Sequence, residues 1–437
     1  MFVIKISDQP LISLSALLAA LENGALDDTL EALGSAGGAT VQRARVKALA
    51  ETFASRYGAD REVALLTVSG RSELSGNHTD HNHGCVIAAS ISLDILAIAA
   101  RRDDNIIRLW SEGFGEDNVD IDAFKTPDPA LFGTSSALIA GVCVGLENEG
   151  FVTGGFDACT VSDVFKGSGL SSSAAFEDMV GTIISHLYNR GRVDEVTVAK
   201  ISQFAENKFF GKPCGLMDQV ACAVGGIVAI DFADPTAPVI EALPFDMTAA
   251  GYHLCIVNTG GNHADLTDDY ASVPAEMKAV AAAFGKKVLR EVDEAELIAK
   301  IPALRETVGD RAIMRALHFF AENKRVSLQK DALAAGDLDK FFENVIASGR
   351  SSFCYLQNVY TSKNLTEQGL SLALCLAERV LSGKKAAWRV HGGGFAGTIQ
   401  AFVPSEDVET FRSTMDAAFG EGRCMVLRIR PVGAVKI

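Results

Sequence analysis

Histidine and aspartate are concentrated in one short segment, residues 76–84, which reads GNHTDHNHG. It contains three of the eight histidines, His78, His81 and His83, together with Asp80. Imidazole and carboxylate groups packed this tightly are compatible with a metal site, or with a loop that binds another ligand through hydrogen bonds. The segment by itself leaves both hypotheses open.

Glycine and serine fill a second segment, residues 166–178, which reads KGSGLSSSAAFED. It lies between a predicted strand over 155–165 and a predicted helix that begins near Ser172. Such a loop offers backbone N–H groups and a helix N terminus to an anion, and its hydroxyls suit phosphate or Mg²⁺. It is not a Walker A loop, because no Gly-Lys-Ser/Thr ends it. A flexible connection is the alternative, but a helix start so rich in hydroxyls favours a phosphate-binding loop.

Two acids stand twelve residues apart in the segment AENKFFGKPCGLMDQ (205–219). Pro213 and Gly215 predict a turn between Glu206 and Asp218. Two carboxylates brought back towards one place suit a metal ligand and a general base in phosphoryl transfer, although either acid alone is more typical of a solvated surface.

Four glycines, Gly392, Gly393, Gly394 and Gly397, lie between two predicted strands in RVHGGGFAGT (389–398). Consecutive glycines there allow the backbone to approach a ligand or another loop closely. A plain β-turn is the alternative, and this stretch alone does not decide between the two.

Taken together, these segments resemble the GHMP (galactokinase, homoserine, mevalonate, phosphomevalonate) kinases, and within them the galactokinase family. The family signature G-R-x-N-L-I-G-E-H-T-D-Y-N-x-G is in register with GRSELSGNHTDHNHG (70–84), and G-x-G-L-S-S-S-A is matched in full at 167–174. The pattern A-E-x-x-F-x-G-x-P-C-G-x-M-D-Q is matched almost in full at 205–219, and G-x-G-F-x-G at 392–397. The resemblance runs in order from about residue 60 to the C terminus.

The resemblance implies an ATP- and Mg²⁺-dependent sugar 1-kinase, and it assigns a role to each matching residue. Asp218 is expected to be the catalytic base and Arg71 the cation that keeps it ionised, while Ser173 and Glu206 are expected to be the Mg²⁺ ligands. The sugar-binding residues implied are Asn77, His78, Thr79, Asp80 and Tyr270. The ATP phosphate loop implied is Gly167, Ser168, Gly169, Leu170, Ser171, Ser172 and Ser173. The histidine segment is therefore interpreted as a sugar-binding loop, since the resemblance supports no metal role for His81 or His83.

Several positions depart from the family pattern, and they concern the sugar more than the phosphate. Glu73 replaces an Asn, Ser75 an Ile, His81 a Tyr, and Asn77 the Glu that the resemblance places at the sugar 6-hydroxyl; Val273 and Pro274 replace two arginines. The neutral Asn77 predicts a weakened preference for galactose and tolerance of changes at C6. Galactose is the expected substrate, and galacturonate or another related sugar is the alternative. A catalytically inactive sugar and ATP sensor is a second alternative, which the intact Ser171–Ala174 run disfavours.

Length and composition describe the chain that must position these residues. At 437 residues it exceeds one average core, so two domains are expected. A formal charge of −15 argues against a nucleic-acid or anionic-membrane partner, although a local basic pocket is compatible with it. Nine scattered cysteines, an odd number, predict a reduced, cytoplasmic protein. The apolar run LISLSALLAAL (11–21) has helical periodicity and no net positive segment before it, which predicts a packed helix with Ser13 as N-cap.

A composition break near residues 231–244 and the start of the resemblance near residue 60 divide the chain into three predicted parts. These are a helical N-terminal extension (1–60), a kinase domain (61–236) and a C-terminal domain (237–437). The alternation in SISLDILAIAA (90–100) predicts a half-buried strand, and the helix over 196–211 is expected to end at Gly211. The order strand, strand, helix, strand after residue 386 predicts an α+β sandwich with helices on one face of an antiparallel sheet, and the resemblance implies that this domain is ferredoxin-like. For the kinase domain, the resemblance implies a ribosomal-protein-S5-like topology, with ATP and sugar in a cleft between the two domains.

Overall fold

The structure is a computed structural model that describes residues 11–164, 169–261 and 266–437. Runs of strands and runs of helices follow one another along the chain, which confirms the predicted α+β class. The strands are β1 (Ile12–Ser13), β2 (Glu62–Ser75), β3 (Cys85–Arg101), β4 (Ile106–Ser111), β5 (Gly115–Asp120), β6 (Phe156–Ser162), β7 (Ile227–Asp231), β8 (Val239–Leu243), β9 (Tyr252–Asn258), β10 (Ala387–His391), β11 (Thr398–Pro404), β12 (Cys424–Leu427) and β13 (Val435–Lys436).

Helices account for most of the remaining described chain. They are α1 (Leu14–Glu22), α2 (Asp27–Ala32), α3 (Gly38–Tyr57), α4 (Ser135–Asn148), α5 (Ser172–Tyr188), α6 (Glu195–Ala205), α7 (Met217–Val224), α8 (Thr267–Ala282), α9 (Glu294–Ala299), α10 (Ile301–Thr307), α11 (Asp310–Ala335), α12 (Leu338–Ser351), α13 (Gly369–Leu381) and α14 (Val408–Phe419). Within the described ranges, no helix has both the length and the apolar character that crossing a membrane requires.

The chain forms two compact units that differ from the predicted division. The first contains residues 1–71, 90–226 and 430–437, and the second contains 72–89 and 227–429. The predicted boundary at 236 lies close to the one at 226, but the histidine segment belongs with the C-terminal part of the chain. The last eight residues return to the first unit, because β13 pairs with β2. Hydrophobic periodicity does not reveal such long-range pairings.

In the first unit the strand order is β1-β2-β3-β6-β4-β5, and the helices α4 to α7 pack on one another. The predicted extension is helical over its described part, and Ser13 caps α1 by accepting a hydrogen bond from the Ala16 N–H, as predicted. Its leucines, among them Leu17 and Leu49, pack against Leu96 and Ile98 of β3. The extension therefore completes the core of this unit.

The prediction that residues 90–100 form a half-buried strand is wrong. The strand exists, but its polar positions Ser90, Ser92 and Asp94 are as buried as its apolar ones. Ser35, in the turn between α2 and α3, donates to Asp94 at 2.7 Å, because the N-terminal helices pack on this face of β3. Alternating polarity predicted the strand but not what covers it.

The second unit contains a four-stranded antiparallel sheet in the order β10-β11-β9-β12. α13 and α14 pack against this sheet through a core that includes Leu370, Phe411 and Met415. Two helices that pack on each other, α11 and α12, lie in the chain between β9 and β10. The closing order of strand, strand, helix and strand is as predicted.

Candidate active site

Arg71 and Asp218 form the central ion pair of the first unit. Arg71 is in β2 and Asp218 is in the first turn of α7; Arg71 Nε donates to Asp218 Oδ1 at 2.7 Å. Ser171 Oγ donates to the other carboxylate oxygen at 2.6 Å. Burial acts to raise the pKa of Asp218, but the Arg71 guanidinium and the Ser171 hydroxyl outweigh it and hold that pKa below its ordinary value. The Asp218 side chain keeps 36% of its surface exposed, so an ionised carboxylate remains accessible.

Arg71 also holds the glycine–serine loop. Its Nη1 donates to the Gly169 carbonyl at 2.6 Å, and its backbone N–H donates to the Leu170 carbonyl at 3.2 Å. Ser171 is the N-cap of α5 with a left-handed backbone (φ 61°), which leaves the first N–H groups of the helix without intrahelical partners. Ser172 and Ser173 begin that helix as predicted, whereas Gly167 and Ser168 lie outside the described residues. A helix start of this kind is suited to an anion.

Glu206 lies at the end of α6, where the helix widens into a π turn (Glu206–Phe210) that ends at Gly211, the predicted C-cap. Its side chain is buried; Oε1 accepts from Lys212 at 2.9 Å and Oε2 from Gln219 at 2.9 Å. The same Gln219 amide lies 3.3 Å from Glu177 Oε2, and Glu177 Oε1 has no hydrogen-bond partner in the described chain. Two buried carboxylates joined by one amide, with an oxygen left over, fit a divalent cation.

The histidine segment lies in the second unit, between β2 and β3. His78 has a left-handed backbone (φ 59°), and its Nε2–H donates to the Gly393 carbonyl at 2.9 Å. Burial lowers the pKa of His78 to about 4, so its ring is neutral near pH 7. Because Nε2 carries the proton, Nδ1 is left as an acceptor. Asp80 is partly exposed, and no group of three or more His, Cys, Asp or Glu side chains could hold a metal ion anywhere in the described residues.

Asn77 differs from its neighbours in the loop, because hydrogen bonds occupy both ends of its buried side chain. Its amide donates to the Gly392 carbonyl at 2.7 Å and to Glu73 Oε1 at 3.2 Å, and its oxygen accepts from Asn358 at 2.8 Å. Glu73 in turn forms an ion pair with the fully buried Arg389. The carboxylate at position 73 and the amide at position 77 therefore belong to one buried network.

Thr79 is buried as well, with its hydroxyl 2.8 Å from the Gly76 carbonyl and 2.7 Å from the Cys85 carbonyl. Its side chain closes the loop on itself. Of the residues of the segment between β2 and β3 that are predicted to bind sugar, His78 and Asp80 keep spare hydrogen-bonding capacity in this arrangement.

The glycine loop after β10 contacts the histidine segment and Tyr270. Successive carbonyls accept from Asn77, from His78 and, at Gly394, from the Tyr270 hydroxyl at 2.7 Å. A Cβ at Gly393 would lie 2.6 Å from the Tyr270 ring, and one at Gly394 would lie 1.9 Å from a backbone oxygen. The glycines thus allow this loop to approach the histidine segment and Tyr270 closely. The sequence alone had not decided between such a close approach and a plain β-turn.

Comparison with known proteins agrees with these features. Residues 51–101 match the galactokinase galactose-binding signature, and residues 137–226 match the GHMP kinase N-terminal domain. A Streptomyces coelicolor galactokinase is 31% identical over 374 residues, which are 84% of this chain and 92% of that protein. The chain belongs to the galactokinase family. A Glaesserella parasuis galactokinase is 33% identical over 347 residues, covering 78% of this chain and 86% of that protein.

Solved structures place this galactokinase-family chain in the same fold. A Lactococcus lactis galactokinase complexed with galactose aligns with a TM-score of 0.75 at 27% identity, covering 90% of this chain and all of that one. A mevalonate kinase aligns with a TM-score of 0.60 at 14% identity over 84% of this chain, which shows a shared fold only.

Sequence reasoning missed Glu177, Asn358 and Arg389 in this galactokinase-family protein. Glu177 belongs to the glycine–serine segment 166–178. It follows Ser173 by one helical turn, and this spacing could have predicted that the two side chains lie on the same face of the helix. Asn358 and Arg389 reach Asn77 and Glu73 from positions about 280 and 315 residues further along the chain, a separation that no local pattern reveals.

Proposed function

We propose that this protein is a sugar 1-kinase that transfers the γ-phosphoryl group of ATP to the anomeric hydroxyl of galactose. The observation that carries the proposal is the pair of Asp218 and Arg71 beside the N terminus of α5. Family membership supports the reaction class, and the match to the galactose-binding signature supports the sugar. Nine free cysteines support a reducing, cytoplasmic setting.

In this mechanism Asp218 accepts the proton of the attacking hydroxyl. Its depressed pKa keeps it ionised at neutral pH, so its role is to orient the hydroxyl and to take the proton as the bond to phosphorus forms. Arg71 keeps this carboxylate ionised and stabilises the negative charge on the transferred phosphoryl group. The N–H groups at the start of α5 and the hydroxyls of Ser171, Ser172 and Ser173 bind phosphate oxygens.

Ser173 and Glu206 are the residues that would hold Mg²⁺, with Glu177 beside them. The ion supplies charge neutralisation on the phosphates when bound. Magnesium ordinarily keeps several water ligands and takes few from the protein, which is compatible with so small a set of carboxylates. Lys212 is already paired with Glu206, and its charge favours an anionic nucleotide at this place.

The sugar is held by the loop that contains His78 and Asp80. A neutral imidazole with a fixed Nε2–H offers Nδ1 to one hydroxyl, and the Asp80 carboxylate accepts from two others. Tyr270, fixed by Gly394 and by edge-to-face contact with Phe395, supplies an adjacent ring.

Galacturonate is retained as a second candidate because of one observation. Asn77 is neutral, and the charge of Glu73 is compensated by Arg389 at 2.5 Å, so these two loop positions present no net negative charge to a carboxylate at C6.

The proposal is tested by measuring ADP release with ATP, Mg²⁺ and a panel of hexoses and uronic acids. Galactose is expected to give the highest kcat/KM, and Asp218→Asn serves as the inactive control. A higher kcat/KM with galacturonate would replace the substrate and keep the chemistry. No sugar-dependent ADP release by the wild type would favour the sensor.

A further inference from the structure

A cavity of about 690 Å³ opens in the second unit beside α12 and the π turn that follows it (Ser352–Leu356). Its volume is within the range of small-molecule sites. Arg325 of α11, Arg350 of α12, and Lys384 and Lys385 before β10 contribute to its lining. None of the residues assigned above to sugar, phosphate or metal lines it.

Cationic side chains are concentrated in the lining of this cavity. It has four of them, together with the carboxylates Asp339 and Glu343, in a protein of net −15. Glu322 and Asp407, which lie outside the lining, pair with Arg325 and Lys384. A second cavity of similar volume near the glycine loop has one lysine and one glutamate. A cation without an anionic partner in a concave surface favours an anionic ligand.

Two of the four cations have unused hydrogen-bonding capacity. Arg350 is exposed and makes no hydrogen bond or ion pair with any described residue, whereas Lys385 is paired with Asp339 at 2.8 Å. Arg325 donates through Nε to Glu322 at 2.7 Å, but its buried Nη2 has no partner within the described chain. An arginine fork with a free nitrogen is suited to the geometry of a phosphate.

We propose that this cavity binds a small phosphate monoester and that the bound ligand changes the affinity of the protein for its sugar. Arg350 and Arg325 bind the phosphate. The organic part of the ligand lies against Tyr355, whose ring is 52% exposed in the cavity lining.

Buried contacts connect the cavity to the sugar loop. Glu322, the partner of Arg325, accepts from the Gly76 N–H at 3.2 Å. The cavity residue Ser351 bonds His318 Nδ1 at 2.8 Å, and the other ring nitrogen of His318 donates to the Asn77 carbonyl at 3.1 Å. A phosphate that shares Arg325 with Glu322 therefore acts on the backbone of Gly76 and Asn77.

Cysteine alkylation tests the binding directly. Cys354 is exposed and lines the cavity, whereas Cys375 is exposed on α13 and does not. Glucose 6-phosphate at about ten times its dissociation constant should slow iodoacetamide alkylation of Cys354 about ten-fold, at constant ionic strength, and leave Cys375 unchanged. Peptide mass spectrometry reads both rates. No protection of Cys354, or equal slowing at Cys375, would overturn the proposal.

A matched pair of variants tests the role of the arginine. Arg350→Gln should raise the concentration for half-protection by about 10- to 100-fold, since it removes a charged donor. Arg379→Gln removes the same charge from an exposed position on α13 outside the cavity and should change nothing. Equal behaviour of the two variants would contradict phosphate binding by Arg350. Equal protection by inorganic phosphate would contradict an ester ligand.

The effect on sugar is measured as the dissociation constant of galactose with and without saturating glucose 6-phosphate. A shift of about five-fold or more is expected in the wild type and none in Arg350→Gln. An unchanged constant would overturn the effector role. This part rests on the proposed function, whereas protection of Cys354 does not, so the two can fail separately.

Discussion

Asp94 and Asp218, two of the aspartates of the first unit that pair with arginine, differ in what surrounds them. Asp94 is fully buried, and its two oxygens accept from Ser35, Thr67, Arg45 and Arg430 at 2.7–3.0 Å. Asp218 accepts from Arg71 and Ser171 but keeps a third of its side chain exposed. In both cases burial acts to raise the pKa of the carboxyl and arginine outweighs it.

The difference shows what separates a structural ion pair from a candidate catalytic one. The Asp94 carboxylate accepts hydrogen bonds from the N-terminal helical region, from β2 and from the C-terminal segment, and it thereby joins these parts of the chain to β3. Asp218 is also held in the ionised state, yet it retains an accessible face for a substrate hydroxyl. Both aspartates have a lowered pKa. The structural aspartate and the candidate catalytic one are therefore distinguished by exposure and by unused acceptor sites.

The largest effect is expected for Asp218→Asn. The substitution keeps the shape and removes the charge and the basic oxygen, so turnover should fall about 10²- to 10⁴-fold while ATP and sugar binding remain. Rapid-quench measurement of phosphoryl transfer, alongside ligand titration, checks both halves. Wild-type turnover in this variant would show that Asp218 is not the base.

Asp94→Asn should have the opposite profile. Arg430, which is fully buried, would lose its charged partner, and the free energy of unfolding should fall by about 3–5 kcal/mol. The kcat of the remaining folded enzyme should be unchanged. Asp163→Asn is the control, because Asp163 also pairs with Arg45, at 3.1 Å, but keeps 37% of its side chain exposed, so the pair should contribute only about 0–1 kcal/mol. If urea titrations show the same loss of stability in the two variants, Asp94 does not form the more important structural ion pair.

The buried pair of Glu73 and Arg389 extends the comparison to the sugar loop. Asn77→Glu alone would place a second carboxylate against Glu73, from which the Asn77 amide is now 3.2 Å, so poor folding is expected. The exchange Glu73→Asn with Asn77→Glu keeps one carboxylate in the network. It should raise galactose affinity about 10- to 100-fold and lower that for galacturonate. Calorimetric titration of both sugars decides; an unchanged preference would show that position 77 does not set specificity.

Removing the cation beside Asp218 should change the pH dependence. The wild-type carboxyl has a pKa below its ordinary value, so the activity that depends on it persists through neutral pH and is lost only as the pH falls through that value. In Arg71→Gln the largest of the groups that oppose the effect of burial is lost, and the acid limb of kcat/KM should move up by about 1–3 pH units. A limb at the wild-type position in this variant would mean that Arg71 does not set the pKa.

The smallest effects are expected at the metal site. Ser173→Ala and Glu206→Gln should each raise the Mg²⁺ concentration for half-maximal rate, because each removes an oxygen ligand or its charge. Glu177→Gln should do so less, if it acts beside the ion. Chelators should stop the reaction, and zinc should not be needed; unchanged Mg²⁺ titrations in the first two variants would place the ion elsewhere.

The sequence by itself determined the local features of this protein. Four ordered motifs assigned it to a kinase family, and cap residues such as Ser13 and Gly211 fixed helix ends, because capping and turn formation depend on residues close in the chain. The motifs that contain Arg71 and Asp218 could be recognised for the same reason, since each consists of residues that are close together in the chain.

Only the tertiary structure decided which polar residues are buried and stabilise the fold through hydrogen bonds and ion pairs. Asp94 receives its partners from positions 35, 45, 67 and 430, and Asn77 its partner from position 358. A period-two pattern reports that a strand has two faces, but it cannot report that helices from the N terminus cover the polar one. Burial of a charge requires a partner brought in from elsewhere in the chain, and that pairing exists only once the chain is folded.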